Sequence, residues 1–397
     1  MKAAFVVQRY GLEVCGGAEL LCRQVAEHMA KHWDVEAFTT CACDYTTWEN
    51  FYPPGEDEVN GLRVHRFPVT EWRTNCMPEF VHLCGRMDVP GHTREEELRW
   101  MRLLGPWAPG LFDALQEKRA EYDLFVFVTY LYCSTYHGLP RVADRALLVP
   151  TAHDEPSLRV GLFRDLFRLP KGIIFLTPEE RALVHDRFGN HGVISDVTGV
   201  GIEPPRAPDL DRFRQRYGIS GPFALYVGRL DLNKGCGELF QHFLAFRERS
   251  SHPLDLVLIG QEAMPIPVHP GLRSLGFVSD EDKFAALAAA EVVIVPSLYE
   301  SLSMVVLEAW AMGTPVLVNG RCDVLVGQCR RSQGGLWYTN EAEFIAALGH
   351  LCSRPDLRRR LARNGARYLE ENYSWGAIES KYRRIAAAAL PHLAERV

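Results

Sequence analysis

Residues 296–318 read PSLYESLSMVVLEAWAMGTPVLV, and the fold turns on how they are interpreted. The run EVVIVPS (291–297) is short, apolar and β-branched, as a strand buried on both faces should be. MVVLEAWAM (304–312) reads as a buried helix, and TPVLV restarts a strand. Strand, helix and strand in so short a space make one βαβ unit of a parallel sheet. Two carboxylates, Glu300 and Glu308, flank this nearly uncharged segment. Ser301 or Ser303 suits the helix N-cap. The N–H groups of Ser303, Met304 and Val305 would then point out of the first turn, where a phosphate binds without any side chain. Glu308 lies inside the helix, where a carboxylate needs partners. The vicinal hydroxyls of a ribose would supply two charge-assisted hydrogen bonds; a buried ion pair would serve as well. Glu300 lies outside the helix, as a residue of a cleft mouth or as a plain surface carboxylate.

The same rhythm extends in both directions. AAFVV (3–7) is a buried strand, and GGAELLCRQVAEHMAKH (16–32) is an amphipathic helix with Ala18, Leu21, Cys22, Val25 and Met29 on one face. VEAFTT, LRVHRFPV, LFVFVTYLY, ALLVPTA, GIIFLT and GVISDV follow as further strands. Between Trp72 and Trp107 the pattern breaks into a polar, aromatic, partly helical insertion, either an acceptor-binding region or a covering helix pair. Prolines and charges cluster at GVGIEPPRAPDLDRFRQRYGI (199–219), which places a linker near 201–210. The rhythm resumes with strands FALYVG, LDLVLIG, RSLGF, EVVIVPS and TPVLVN, and with helices over 236–249, 280–290 and 303–312. A chain of 397 residues exceeds what one core usually supports. The reading is an α/β protein of two doubly wound, Rossmann-like domains, 1–200 and 201–375, facing across a cleft. Ligands of such sheets sit at the carboxyl ends of the strands.

Composition narrows the function. A formal charge of −6 and a pI near 6.2 argue against a general nucleic-acid binder. MKAAFVVQRYG lacks the pattern of a cleavable leader, and no apolar run is long enough to span a bilayer. The eleven cysteines are scattered and without a CxxC pair, so most read as buried small hydrophobes of a cytoplasmic chain. The interleaved basic and aromatic residues of LFRDLFRLPKG (162–172) suit either a peripheral contact with the inner face of a membrane or an amphipathic surface helix.

In YVGRLDLNKG (226–235), a strand ends at Gly228 and a helix starts near Gly235, with Arg229 and Lys234 in the loop between. A bidentate guanidinium and a point-charge ammonium together suit a diphosphate.

These two segments resemble the signature of retaining GT-B glycosyltransferases of glycosyltransferase family 4, the second being that family's E-x7-E motif. CGGAE (15–19) is similar to its N-terminal glycine loop and TAHDEP (151–156) to its histidine loop. GVGIEPP resembles the segment before the linker, and GFVSDEDK the loop that meets the base. YSW (373–375) resembles the turn before a last helix, here 376–397, that crosses back to the first domain. The resemblance implies an N-terminal acceptor-binding domain and a C-terminal nucleotide-sugar-binding domain. It implies that the Gly17 backbone approaches the donor diphosphate, that Arg229 and Lys234 neutralise it, and that Met304 and Val305 offer it their amides. Val278 offers its backbone to the base, Glu308 holds the ribose, Glu300 meets donor-sugar hydroxyls, and His153 reaches the sugar from the first domain. A lone histidine after a strand more often caps it; the following Asp154 and the motif favour the functional role. One departure is Ser301-Leu302-Ser303, where the family more often has Gly-Phe-Gly, and it bears on the donor's identity.

The implied reaction moves a hexose from a UDP- or GDP-sugar to a hydroxyl of a saccharide, glycolipid or small molecule, in polysaccharide or glycolipid assembly. Two cations and a helix start stabilise the departing diphosphate, so no metal or other cofactor is needed. Asp209-Leu-Asp211 is explained by helix-start acidity. With no second carboxylate placed as in retaining glycosidases, the resemblance implies front-face substitution. A non-catalytic GT-B partner subunit and a sugar-nucleotide epimerase of the same architecture are the alternatives. A nicotinamide enzyme fits poorly, because GVGIEP opens on a proline-rich linker where that fingerprint requires a helix.

Overall fold

The computed structural model describes residues 1–14 and 16–393. The chain divides into two compact units, one of Met1–Val200 with the chain from Trp375 onward, the other of Gly201–Ser374.

The first unit is built on strands β1 (Lys2–Val6), β2 (Asp34–Thr40), β3 (Gly55–Val59), β4 (Leu62–Phe67), β5 (Leu124–Val128), β6 (Ala146–Val149), β7 (Gly172–Phe175) and β8 (Ile194–Val197). They form one sheet in the order β3-β4-β2-β1-β5-β6-β7-β8. Every residue of β5, β6 and β7 is buried, which is why these strands are apolar on both faces. All neighbours are parallel except β3 with β4. β3 reads GEDEV and has no hydrophobic alternation. It is a charged edge strand held by its backbone ladder, a composition that discourages further pairing.

The break at 72–107 forms helices Met77–Met87 and Arg94–Leu104. Thr93 and Glu96 close a capping box at the start of the second. Leu83, Met87, Trp100, Met101 and Leu103 all enter the core beside Phe125 and Phe127. The insertion packs as a helix pair that covers and completes the core.

The stretch 162–172 is not an amphipathic surface helix. It holds one helical turn, Phe163–Leu166, and Leu162, Phe163, Leu166 and Phe167 are buried in the same core. Its aromatic residues face inward, which removes the basis on which it was read as a membrane contact. Among the described residues no helix is long and apolar enough to cross a membrane. Among the described cysteines six are buried, and all of those described are free thiols.

The final helix, Trp375–Ala389, belongs to the first unit and starts one residue before the sequence places it. Trp375 stacks on His28 with ring centroids 3.5 Å apart. Glu379 bonds His28 Nδ1 at 2.9 Å and His32 Nε2 at 2.8 Å. Lys381 Nζ donates to the carbonyl of Thr198 at 3.3 Å, and Tyr382 and Ile385 are buried.

The second unit holds β9 (Phe223–Val227), β10 (Asp255–Ile259), β11 (Leu272–Ser274), β12 (Val292–Val295), β13 (Val316–Asn319) and β14 (Gly335–Tyr338). The order is β11-β10-β9-β12-β13-β14, parallel throughout. Helices Cys236–Arg249, Asp280–Ala289 and Met304–Ala311 fall where the sequence pattern puts them. Asp209 caps helix Leu210–Tyr217, accepting from the N–H of Arg212 at 2.9 Å; the acidic pair is a helix start. The strand order reverses between β9 and β12, and at such a reversal the strand exits diverge and leave a crevice. The loops leaving there are 228–235 and 296–303.

Candidate functional site

Glycines bring these two loops together. Gly260 has φ 138°, and a Cβ there would collide with the carbonyl of Gly228. The exits of β9 and β10 thus run in contact, with Leu230 N–H donating to Gln261 O at 2.8 Å. Gly235 has φ 76° and faces Pro296 so closely that a Cβ would overlap the Pro296 carbonyl. Only glycine combines that backbone with that approach. The consequence is that Lys234 Nζ lies 2.9 Å from Glu300 Oε1. Glu300 beside it holds the Lys234 ammonium above its usual pKa, against the effect of burial.

Asp231 organises the rest of the loop. Its carboxylate accepts from Arg229 Nε and, through Oδ1, from the N–H of Lys234 at 2.8 Å. Tyr226 Oη donates to the Arg229 carbonyl at 2.7 Å. Asp231 was missed in the sequence, although the signal was present. It is the one carboxylate between the two cations, placed to turn back on the N–H three residues on.

Helix Met304–Ala311 begins at Ser303, whose side chain makes no capping hydrogen bond. A capping side chain needs an extended backbone, whereas Ser303 sits at φ 63°, ψ 87°. The expected serine cap is therefore absent, and Ser301 lies before the cap position. The N–H groups of Met304 and Val305, both half-buried, are first-turn donors with no acceptor inside the helix.

Glu308 is buried on this helix, and it has a cation partner. Lys283 Nζ lies 2.9 Å from its Oε1 and 3.1 Å from Asp280 Oδ1. Burial pushes the Glu308 carboxyl above its ordinary pKa, and Lys283 pulls against that rise. Burial works against the Lys283 ammonium too, yet Glu308 and Asp280 outweigh it and raise its pKa. Lys283 was visible in GFVSDEDK but was not read as a partner. Val278 is half-buried in the loop before helix Asp280–Ala289, whose cap is Ser279, accepting from Asp282 N–H at 3.1 Å. Lys283 thus ties the helix that follows Val278 to Glu308.

Gly17 and His153 lie in the first unit. Gly17 opens helix Gly17–Met29 and is exposed, and a Cβ on it would meet nothing. The crowded glycine is Gly16, where a Cβ would strike the Glu19 carboxylate. Glu19 is buried and already bound by Arg9, at 2.8 and 2.6 Å, and by Gln8 Nε2 at 2.8 Å. His153 follows β6, with Nδ1 3.7 Å from Glu155 Oε1. Tyr130 Oη fixes that carboxylate at 2.7 Å. The second unit therefore brings Lys234 and Glu300 into direct contact, with Arg229 on the same loop.

The family model for glycosyl transferases group 1 matches residues 221–354, the span that carries both loops. An uncharacterized glycosyltransferase of Methanocaldococcus jannaschii is 30% identical over 399 residues, covering 95% of this chain and 96% of its own length. The chain belongs to the glycosyl transferases group 1. Within this family, the D-inositol 3-phosphate glycosyltransferase of Acidothermus cellulolyticus is 29% identical over 427 residues, 96% of this chain and 89% of that protein. Among solved structures, Anabaena HepE in complex with UDP-glucose superposes with a TM-score of 0.68 at 16% identity, covering 99% of this chain and 100% of that one. The glycosyltransferase thus has the GT-B fold of two parallel-sheet α/β units.

Proposed function

We propose that this glycosyltransferase moves a hexose from a UDP- or GDP-sugar to a hydroxyl acceptor, with retention at the anomeric carbon and without a bound metal. The observation that carries the reading is the convergence at the β9–β12 reversal of Arg229, Lys234, Glu300 and the uncapped start of helix Met304–Ala311. All four features are matched to a sugar joined to a diphosphate. The diphosphate takes Arg229, Lys234 and the amides of Met304 and Val305, while the sugar hydroxyls take Glu300. Lys234 and Glu300 neutralise each other at 2.9 Å, so a donor that supplies both an anion and hydroxyls replaces one pairing with two. Glu308 binds the ribose, Val278 meets the base through its backbone, and Gly17 and His153 act from the acceptor-binding unit.

In the reaction, the bond from the anomeric carbon to the leaving phosphate oxygen breaks as negative charge grows on the diphosphate. Donors already aimed at that charge lower the barrier most. The acceptor oxygen forms its bond on the same face, and its proton passes to the departing phosphate oxygen. The complex of Anabaena HepE with UDP-glucose supports a nucleotide-sugar donor for this fold. A panel of UDP-, GDP-, ADP- and dTDP-sugars, followed by NMR of the product's anomeric proton, tests the proposal. Transfer or hydrolysis with a UDP- or GDP-hexose and an α-linked product from an α-donor are expected. Inversion, or turnover with none of the four, would contradict it.

A further inference from the structure

Glu180 has no part in the site described so far. It is the third residue of helix Pro178–Phe188, whose cap Thr177 accepts from the Glu180 N–H at 3.2 Å. A glutamate in this position ordinarily folds back in water onto the cap's own N–H. Here the residue is 1% exposed, and its carboxylate reaches further. Oε2 accepts from the N–H of Leu176 at 2.6 Å, and Oε1 from the N–H of Ala152 at 2.6 Å. Leu176 follows β7 and Ala152 follows β6. The ladder between those strands runs only through Leu147–Gly172 and Leu148–Ile173. Beyond it, one carboxylate joins the two strand exits.

The residue before Ala152 is also unusual. Thr151 has φ 52°, a left-handed backbone that is costly for a β-branched residue and persists only where the surroundings impose it. Burying a carboxylate against backbone N–H groups is costly in its own right; burial pushes the Glu180 carboxyl up to about 8, with Leu176, Ala152 and Thr177 opposing. Two costly features converge on the two residues that precede His153.

We infer that Glu180 is a positioning residue, which fixes the chain at Thr151–Ala152 and thereby aims the His153 imidazole. The inference rests on the role proposed above for His153. Because its partners are all N–H donors, the site calls for two acceptor oxygens on this side chain. An amide in its place turns one acceptor into a donor facing a donor.

The test compares the full-length Glu180→Gln, His153→Ala and double variants. Glu180→Gln should lower turnover at saturating donor by roughly 10- to 100-fold, the scale for a misaimed group. The KM for donor and the affinity for UDP, whose proposed site is in the other unit, should stay within about two-fold. The double variant should be no slower than His153→Ala alone, since residues that act through one another are not additive. A multiplicative fall in the double variant, or wild-type turnover in folded Glu180→Gln, overturns the inference while leaving the role of His153 intact. Wild-type turnover in His153→Ala overturns that role instead, and this inference with it. Should Glu180→Gln not fold, Glu180→Asp withdraws the carboxyl group by one methylene while keeping both of its oxygens. It should show the same loss of turnover at unchanged UDP affinity, and full turnover would count against the proposal.

Discussion

The two units hold their candidate site residues by opposite means. In Gly201–Ser374 the motif residues are held by charge: Lys234 on Glu300, Arg229 on Asp231, Glu308 on Lys283. In the other unit the chain around His153 is held by backbone hydrogen bonds running into a buried carboxylate. The Lys234–Glu300 pair can be exchanged for a ligand that offers the cation an anion and the carboxylate hydroxyl donors, because both partners then keep charge-assisted hydrogen bonds. A network of backbone N–H groups around one carboxylate cannot be exchanged for anything, and only fixes geometry. The proposed capture of an anionic donor draws on the first kind of hold, and the proposed positioning of His153 on the second.

Removing the capturing charges should have the largest effect. Arg229→Ala and Lys234→Ala should each lower turnover by roughly 10²-fold or more, the scale for one lost preorganised donor, with little change in melting temperature. Near-normal turnover in either variant, measured by initial rates, would show that the residue does not serve the leaving diphosphate.

Lys283→Met should show a smaller, pH-dependent effect. Without its cation, burial and the nearby Asp280 carboxylate act on Glu308 unopposed, and the carboxyl moves further above its ordinary value. Ribose hydroxyls donate to the ionised form, so UDP affinity should fall as pH falls through that raised value. The loss should reach roughly 10- to 100-fold, as for a charge-assisted hydrogen bond. Wild-type protein, whose Glu308 keeps Lys283, should titrate at lower pH. Coincident profiles from calorimetry would show that Lys283 does not tune Glu308.

In the first unit, Glu379→Ala should change stability and leave UDP affinity alone. Burial opposes the Glu379 charge, but the bonds from His32 and His28 outweigh it and lower its pKa below 4.5. Its contribution is present above that unfolded value and fades as pH drops through the folded one. At neutral pH the loss is about 1 kcal/mol, or about 2–4 °C in melting temperature for a unit of this size. An unchanged melting curve would mean the last helix is held by Trp375, Tyr382 and Ile385 without it. The smallest effect is expected from EDTA, since the charge work is assigned to side chains and a helix start. Loss of activity restored by Mg²⁺ or Mn²⁺ would contradict that assignment.

The βαβ rhythm was legible because buried parallel strands are short apolar runs, and the 296–318 and 226–235 segments carried most of the site. β3 was illegible because an edge strand of charged residues is specified by its neighbour's backbone, not by its own pattern. The stretch 162–172 misled because its basic residues masked how deeply its aromatic ones are packed. Ser303 was read as a cap from its residue type, whereas its left-handed backbone decides otherwise. The partners that hold the site were the hardest to see. Lys283 stands 25 positions from Glu308, and Glu180 stands 28 from Ala152. Such pairs are created by topology, and no local spacing announces them.

In the proposed site Glu308 serves the nucleotide and Glu300 the sugar. Calorimetry of UDP and GDP on Glu308→Gln and Glu300→Gln, beside initial rates with the intact donor, measures that division directly. Glu308→Gln should weaken nucleotide binding by roughly 10- to 100-fold. Glu300→Gln should bind the nucleotide nearly as wild type does and lose turnover. Equal nucleotide affinities in the two variants, or a loss confined to Glu300→Gln, would show that the two carboxylates do not divide the donor in this way.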